Sequence, residues 1–397
     1  MESWRDVKED DVIAATESAL ARTSGLAVNL SCLETISGDR RRHLIIRATA
    51  TFSDGSAERI IIKVTRSKDY DPRADNALQK SGLLREWTST ALLKPWADTG
   101  MRVSQFLGGD VDLGLMITRD LGADVTSLVG PLMGDKPSEA HEAILAYARA
   151  LGDLHARTAG CEDSYNDIAR ATFPHDSAKT DHLAALTRSM DTVQHALGGT
   201  FNKAELVAIA AKLNRSGPWQ TLVHGDLCPD NVLFRGGHAF LIDFESGQPG
   251  HALLDATYLR MGFPTCWCAG RLPMDVAKDA ETAYLNAFRM SDDIDDAGYR
   301  LELAHICAAH MLKRTAGLLE EAIVADQDWG IASVRERILW WLTSSSLAME
   351  DAKVLPGLQA LVNNWIDDLK CRWVSSTMLG YYPAFEAASL KDASPRD

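Results

Sequence analysis

The chain has no apolar run of about eighteen residues, so nothing in it reads as a membrane-spanning helix. Its opening, MESWRDVKED, is acidic and polar where a secretory leader would carry basic and then apolar residues, and the expectation is a cytoplasmic protein without a membrane partner. Seven cysteines, an odd number with no repeating framework, argue against a disulfide scaffold and for a reducing compartment, with most of them read as small buried apolar residues. Basic residues are in short supply: 41 Lys and Arg against 55 Asp and Glu give a net charge of −14, which disfavours a nucleic-acid partner. A cationic or metal-bound ligand fits better, although net acidity chiefly serves solubility. Internal repeats and low-complexity tracts are also missing. At 397 residues and 46% hydrophobic, the chain can bury a substantial core, organised as two or three structural units.

Periodicity divides the sequence. Residues 9–22 repeat Val12, Ile13, Ala19 and Leu20 at helical spacing. From Val28 to Thr65 the pattern becomes three strands, VNLSCLETI, HLIIRATATF and ERIIIKVT, separated by the polar turns SGDRRR and SDGS, which predicts an antiparallel meander. A helix follows around LLREWTSTALL, then two strands in RVSQFLGG and LGLMITRDL. After residue 122 the composition turns helical. SEAHEAILAYARALGDLHART opens with Ser138 as an N-cap candidate, DHLAALTRSMDTVQHAL and KAELVAIAAKL follow, and long helices lie beyond residue 275. The fold class is therefore α+β: an N-terminal antiparallel sheet with one helix over residues 1–119, then a mostly helical body over 120–397 holding one hairpin. Two such lobes would place a ligand in a cleft.

That hairpin carries the chemistry. HGDLCPDNVLF begins at residue 224, and IDFE follows at 242. Two apolar runs joined by Gly236 and Gly237 signal a two-residue β-turn, whose register sets Asn231 opposite Ile242, the neighbour of Asp243. Strict alternation would send the Asn231 and Asp243 side chains to opposite faces, so at least one must leave strand geometry. Their oxygens are hard ligands suited to Mg²⁺, and Asp226 is close enough in sequence to accept a proton from an attacking hydroxyl.

D-x4-N followed by D-F resembles the catalytic loop and metal-binding Asp of the protein-kinase fold, and the HGD start resembles its aminoglycoside phosphotransferase and choline kinase branch. The resemblance implies a bilobal kinase-like fold with Asp226 as catalytic base, Asn231 and Asp243 as Mg²⁺ ligands, and His224 and Glu245 as supports. It further implies that Lys63 in IIIKV binds the nucleotide phosphates, that Glu86 in LLREW positions Lys63, and that the turn at Ser37 and Gly38 covers the phosphates. Thr118, Arg119, Asp120 and Leu121 would face the base of ATP or GTP. Only Gly38 stands where protein kinases carry a glycine-rich loop.

Gly225 replaces the Arg of the protein-kinase HRD motif, only eleven residues separate Asp243 from Asp255, and no APE follows, so a small hydroxyl acceptor is expected instead of a peptide. Asp255, read as a structural or substrate-side acid, and Trp267, Asp292 and Asp293 are the acceptor-side candidates. For the two aspartates in SDDIDDAG a solvated turn is the simpler reading. CWC at 266–268 lacks a second ligand pair and does not read as a metal site, Cys228 reads as structural, and His305 and His310, five apart on a helix, read as ordinary helix residues. Trp329, Trp340, Trp341, Trp365 and Trp373 could cage a quaternary amine, but helix packing accounts for most of them. The expected activity is nucleotide- and Mg²⁺-dependent phosphorylation of an aminoglycoside or nucleoside antibiotic. The alternatives are a metabolic kinase for choline, a hexosamine or another sugar, and an inactive nucleotide-binding module. Oligomeric state is not legible.

Overall fold

The computed structural model describes residues 4–38, 42–174, 180–214, 217–288 and 294–386. In chain order its first elements are α1 (Glu9–Ser24), β1 (Val28–Thr35), β2 (His43–Phe52), β3 (Ala57–Thr65), α2 (Ala77–Lys80), α3 (Gly82–Ala97), β4 (Phe106–Asp110) and β5 (Leu115–Arg119). Then come β6 (Thr126–Ser127), α4 (Val129–Met133), α5 (Pro137–Arg157), α6 (Glu162–Thr172), α7 (His182–Leu197), α8 (Lys203–Leu213), β7 (Gln220–Val223), β8 (Val232–Arg235) and β9 (His238–Leu241). The remainder is β10 (Gln248–His251), α9 (Leu253–Met261), α10 (Met274–Phe288), α11 (Asp296–Val324), β11 (Asp328–Trp329), β12 (Ala332–Ser333), α12 (Val334–Ala352) and α13 (Pro356–Arg372). The chain divides into two compact units: Met1–Val125 with Glu162–Ala178 and Phe240–Gln248, and Thr126–Cys161 with Lys179–Ala239 and Pro249–Asp397.

The first unit is built on a five-stranded sheet in the order β1-β2-β3-β5-β4, every neighbouring pair antiparallel. Alternation decides its faces. Leu44, Ile46, Ala48 and Ala50 of β2, Ile60, Ile62 and Val64 of β3, and Leu115 and Ile117 of β5 form one buried cluster with Val12, Ala19 and Leu20 of α1. Burying each of the large aliphatic chains contributes roughly 1.5–3 kcal/mol, so this face fixes strand register and dictates that odd-numbered residues of β3 project from the other side.

The second unit is mostly helical. The 29-residue α11 is N-capped by Asp295, whose Oδ1 accepts from Gly298 N at 2.7 Å. Ser333 and Glu336 form a reciprocal capping box that starts α12. Ser138 does not cap α5: Lys136 is the N-cap residue and Pro137 takes the first helical position, where its missing N–H is no loss. β8 and β9 form the expected hairpin, with Gly236 and Gly237 at φ +57° and +78°, the left-handed values that a two-residue turn of this hand needs. Trp341, Trp365 and Trp373 are buried, which makes them core residues and not a cage.

Helix α5 approaches α10 at Gly152, where an added Cβ would lie 2.5 Å from Tyr284 O and 2.7 Å from Ala287 Cβ. Since backbone cannot yield as a side chain can, Gly152→Ala should destabilise the protein by about 2 kcal/mol despite alanine's better helix propensity, read as a lower urea midpoint at unchanged slope.

His310 on α11 is buried in a chain of polar contacts: Arg314 Nε donates to its Nε2 at 3.1 Å, and its Nδ1 lies 2.9 Å from Thr257 Oγ1. Thr257 Oγ1 in turn donates to Leu254 O at 2.9 Å, so the neutral ring carries its proton on Nδ1. Burial, then the Arg314 and Lys313 cations, hold its pKa well below the ordinary 6.5; burial likewise leads the lowering at His43, His182 and His305. A depressed histidine pKa means that the unfolded chain binds more protons, so the stability is present above about pH 6.5 and is lost as pH falls below it. Urea midpoints should therefore drop between about pH 7.5 and about pH 5.5, and drop less in His310→Gln.

Candidate functional site

Because Ile60, Ile62 and Val64 face the core, Lys63 leaves β3 on the opposite side of the sheet. There its Nζ lies 2.5 Å from Glu86 Oε2, 2.6 Å from Asp243 Oδ1 and 2.6 Å from Glu245 Oε1. Glu86 stands on α3, whose first turn is capped by the Ser81 hydroxyl accepting from Leu84 N. Asp243 and Glu245 sit on the 240–248 segment, which is anchored along its length. Leu241 N donates to Arg102 O at 3.0 Å, Arg85 Nε to Glu245 O at 2.7 Å, and the Tyr165 hydroxyl to Gly247 O at 3.0 Å. The Asp243 backbone has φ +64°, so it has left strand geometry, as the hairpin argument requires of at least one partner.

One ammonium thus serves three carboxylates. Burial, reinforced by the Asp243 charge and opposed by that of Lys63, pushes Glu86 up to about 7. Lys63 is raised too: burial works against its charge, but Glu86 and Asp243 outweigh it. Arg42 pairs with Glu245, and His43 Nδ1 approaches Glu245 Oε1 at 2.9 Å. Burial and the Lys63 and Arg42 cations lower His43 to about 3, so it is a neutral donor. Glu86, Asp243 and Glu245 each place a carboxylate oxygen within 4.8 Å of the others, a set that could hold a metal ion.

Elsewhere in this unit, Ser37 Oγ accepts from Ile45 N at 3.0 Å, and Gly38 faces open space. Thr118 and Arg119 belong to β5, and Arg119 N and Asp120 N donate to Gln105 O and Arg59 O. The Asp120 carboxylate binds Arg47 Nε at 3.0 Å, Arg59 Nη2 at 2.9 Å and Gly122 N at 3.1 Å, and anchors the end of the sheet. Leu121 follows it, half-buried.

In the second unit, β7 delivers the chain into the HGDLCPDN loop, which closes with a 3₁₀ turn at Pro229–Asn231. Asn231 Nδ2 donates to Asp226 O at 2.9 Å and ties the two ends of the loop together. Asp226 Oδ1 accepts from Thr265 Oγ1 at 2.8 Å. Beneath the loop is Asp255, wholly buried near the start of α9: its Oδ2 accepts from His224 N at 2.6 Å and its Oδ1 from Gly225 N at 2.9 Å. His155 Nε2 is 3.2 Å from the same carboxylate and its Nδ1 is 2.9 Å from Tyr284 OH. Cys228 and Cys266 form a disulfide with Cα atoms 5.2 Å apart. The buried Arg337 donates to Cys266 O at 2.7 Å and Trp267 O at 3.3 Å and stacks 4.2 Å from the Trp329 ring. Trp267 is 43% exposed, its Nε1 donating to Asp230 Oδ2 at 3.2 Å.

Residues 91–287, which hold the loop, the 240–248 segment and Asp255, match the model of the phosphotransferase enzyme family. Over this segment the chain is a phosphotransferase of that family. Similar solved structures include a macrolide 2′-phosphotransferase type I at 16% identity, covering 80% of this chain and 94% of that one with a TM-score of 0.43. A choline kinase from Streptococcus pneumoniae (12% identity, 80% and 94% covered, TM-score 0.39) and a choline/ethanolamine kinase family protein from Mesorhizobium loti (14%, 86% and 93%, 0.40) are also similar. No curated protein matches the chain.

Within this phosphotransferase the structure brings together Lys63, Glu86, Asp243 and Glu245 in the first unit, and His224, Asp226, Asn231 and Asp255 in the second. Of the two roles expected of Asp255, structural or substrate-side, the structural one fits its position, since it is wholly buried with both oxygens engaged by loop amides. Cys228 and Cys266 are corrected from separate thiols to a bonded pair. Asp292 and Asp293 lie outside the described residues. Arg85, Tyr165, His155, Tyr284 and Thr265 went unread because each acts through a hydrogen bond to a segment distant in sequence, which no local pattern announces. Peptide mapping of the unreduced phosphotransferase should recover a 228–266 crosslink. Closing a 38-residue separation, it should stabilise the fold by about 4 kcal/mol, seen as a fall in urea midpoint in Cys266→Ser.

Proposed function

We propose that this phosphotransferase moves the γ-phosphoryl group of ATP or GTP to a hydroxyl of a small molecule, with the first unit binding nucleotide and the second supplying the base and the acceptor site. The observation that carries this reading is the Lys63 ammonium held between Glu86 and Asp243, at 2.5 and 2.6 Å. A buried cation so fixed is pre-oriented for phosphate oxygens, and catalysis of this reaction is chiefly positioning and charge stabilisation. The acceptor oxygen attacks phosphorus, the bond to the nucleoside diphosphate breaks, and the hydroxyl proton passes to Asp226. Asn231 and Asp243 offer hard oxygen donors for Mg²⁺, and Glu86, Asp243 and Glu245 place carboxylate oxygens close enough together to hold a cation. Mg²⁺, when bound, would offset the charge on the phosphate oxygens. Ser37, Gly38 and the 118–121 segment remain the nucleotide-side candidates.

For the acceptor, the reading is an aminoglycoside or nucleoside antibiotic, with Trp267 lining its site. The net charge of −14 and the exposed Trp267 ring beside Asp230 support an amine-bearing molecule. A metabolic kinase for choline or a hexosamine is the second reading, favoured by the same pair. The protein is taken to work in the cytoplasm; among the described residues no helix is long and apolar enough to cross a membrane.

A phosphorylation screen over antibiotics, amino-alcohols and free sugars, with mass detection of one added phosphate, tests the acceptor class. Modification of choline or a sugar alone would reject the antibiotic reading. Asp226→Ala should lower turnover by about 10²–10⁴-fold with nucleotide affinity retained, and Lys63→Ala should weaken nucleotide binding as well.

A further inference from the structure

Thr265 lies in the FPTCWC segment, thirty-nine residues beyond Asp226, yet its hydroxyl donates to Asp226 Oδ1 at 2.8 Å. Thr265 Oγ1 also lies 3.0 Å from the Tyr258 hydroxyl, and that hydroxyl donates to Gly225 O at 3.1 Å. The two strings of chain that meet here are joined covalently on the adjoining residues, Cys228 to Cys266. Both sulfurs lie 3.7 Å from Thr265 Oγ1, and Cys228 Sγ lies 3.5 Å from Asp226 Oδ1. Arg337 holds the far side of the segment through the Cys266 and Trp267 carbonyls. A bond to one carboxylate oxygen fixes the plane of the group, and therefore the direction from which an acceptor hydroxyl can deliver its proton.

We propose that Thr265 is a positioning residue for Asp226 and that the Cys228–Cys266 disulfide keeps it in place. The inference rests on the reading of Asp226 as the base. It makes turnover sensitive to thiol–disulfide chemistry: a dithiol such as dithiothreitol opens the crosslink, which takes up two electrons and two protons to give two thiols while the reagent becomes its cyclic disulfide. Opening the link removes the restraint on Thr265 and leaves the Asp226 carboxylate itself chemically unchanged.

The test measures Mg²⁺-dependent nucleotide turnover, on water and on an acceptor from the screen, for wild type, Thr265→Val, Thr265→Ser and Asp226→Asn, each before and after dithiothreitol, with the crosslink followed by peptide mass and nucleotide binding followed by calorimetry. Thr265→Val, equal in shape but without the hydroxyl, should lower kcat about 10- to 100-fold with nucleotide affinity changed less than about twofold, while Thr265→Ser recovers to within about threefold. Reduction should lower wild-type kcat and leave Thr265→Val unchanged, because the interaction it weakens is already gone. The proposal is overturned if Thr265→Val matches wild type, if Thr265→Ser is as impaired as Thr265→Val, if reduction slows Thr265→Val as much as wild type, or if both cysteines are free in the oxidised protein. If Asp226→Asn turns over normally, or wild type shows no turnover on any acceptor, the reading of Asp226 fails and the inference with it. An inactive Asp226→Asn beside a normal Thr265→Val removes the Thr265 assignment alone.

Discussion

A single ammonium group shared by three carboxylates organises the first unit. Lys63 reaches this position because the aliphatic residues on either side of it in β3 are drawn to the face packed on α1, and the pleat turns the lysine the other way. Glu86 meets it from α3, and Asp243 and Glu245 from a segment nearly two hundred residues later in the chain. Buried charges are costly unless paired, and Glu86 shows the cost: burial, reinforced by the Asp243 charge, makes it bind a proton far more readily than an exposed glutamate.

The second unit solves a different problem. A loop that must hold a carboxylate in a defined place cannot rely on its own short length, so it is tied from below and from the side. Asp255 accepts the His224 and Gly225 amides, a role for which full burial is an advantage because the two bonds are then unscreened. Asn231 closes the loop on itself through the Asp226 carbonyl, and Thr265 reaches the carboxylate from a separate segment. Every tie engages either backbone or a fixed side chain, so the loop's geometry is inherited from the helical core.

Much of this was legible in the sequence. β1, β2 and β3 were read to within a residue because a sheet with one face buried writes a strict two-residue period, and the hairpin because paired glycines between apolar runs have few other uses. Lys63 and Glu86 were identified by resemblance, and their contact is the distance one would ask of them. What escaped was long-range. Nothing in the spacing of seven cysteines says which two will meet, and sequence alone left Asp255 between a structural and a substrate-side role because a buried aspartate bound by amides looks there the same as one awaiting a ligand. Ser138 misled because a good capping residue sits beside a proline that fits the first turn better.

The first unit is assembled from three separate stretches of chain, the last of them residues 240–248. During synthesis the N-terminal sheet therefore emerges from the ribosome well before the segment that supplies two of its lysine's three partners. Until that segment arrives Lys63 lacks its Asp243 and Glu245 partners, and a fragment ending at residue 125 would lack them permanently. Completion of the Lys63 cluster is thus coupled to translation of more than half of the protein.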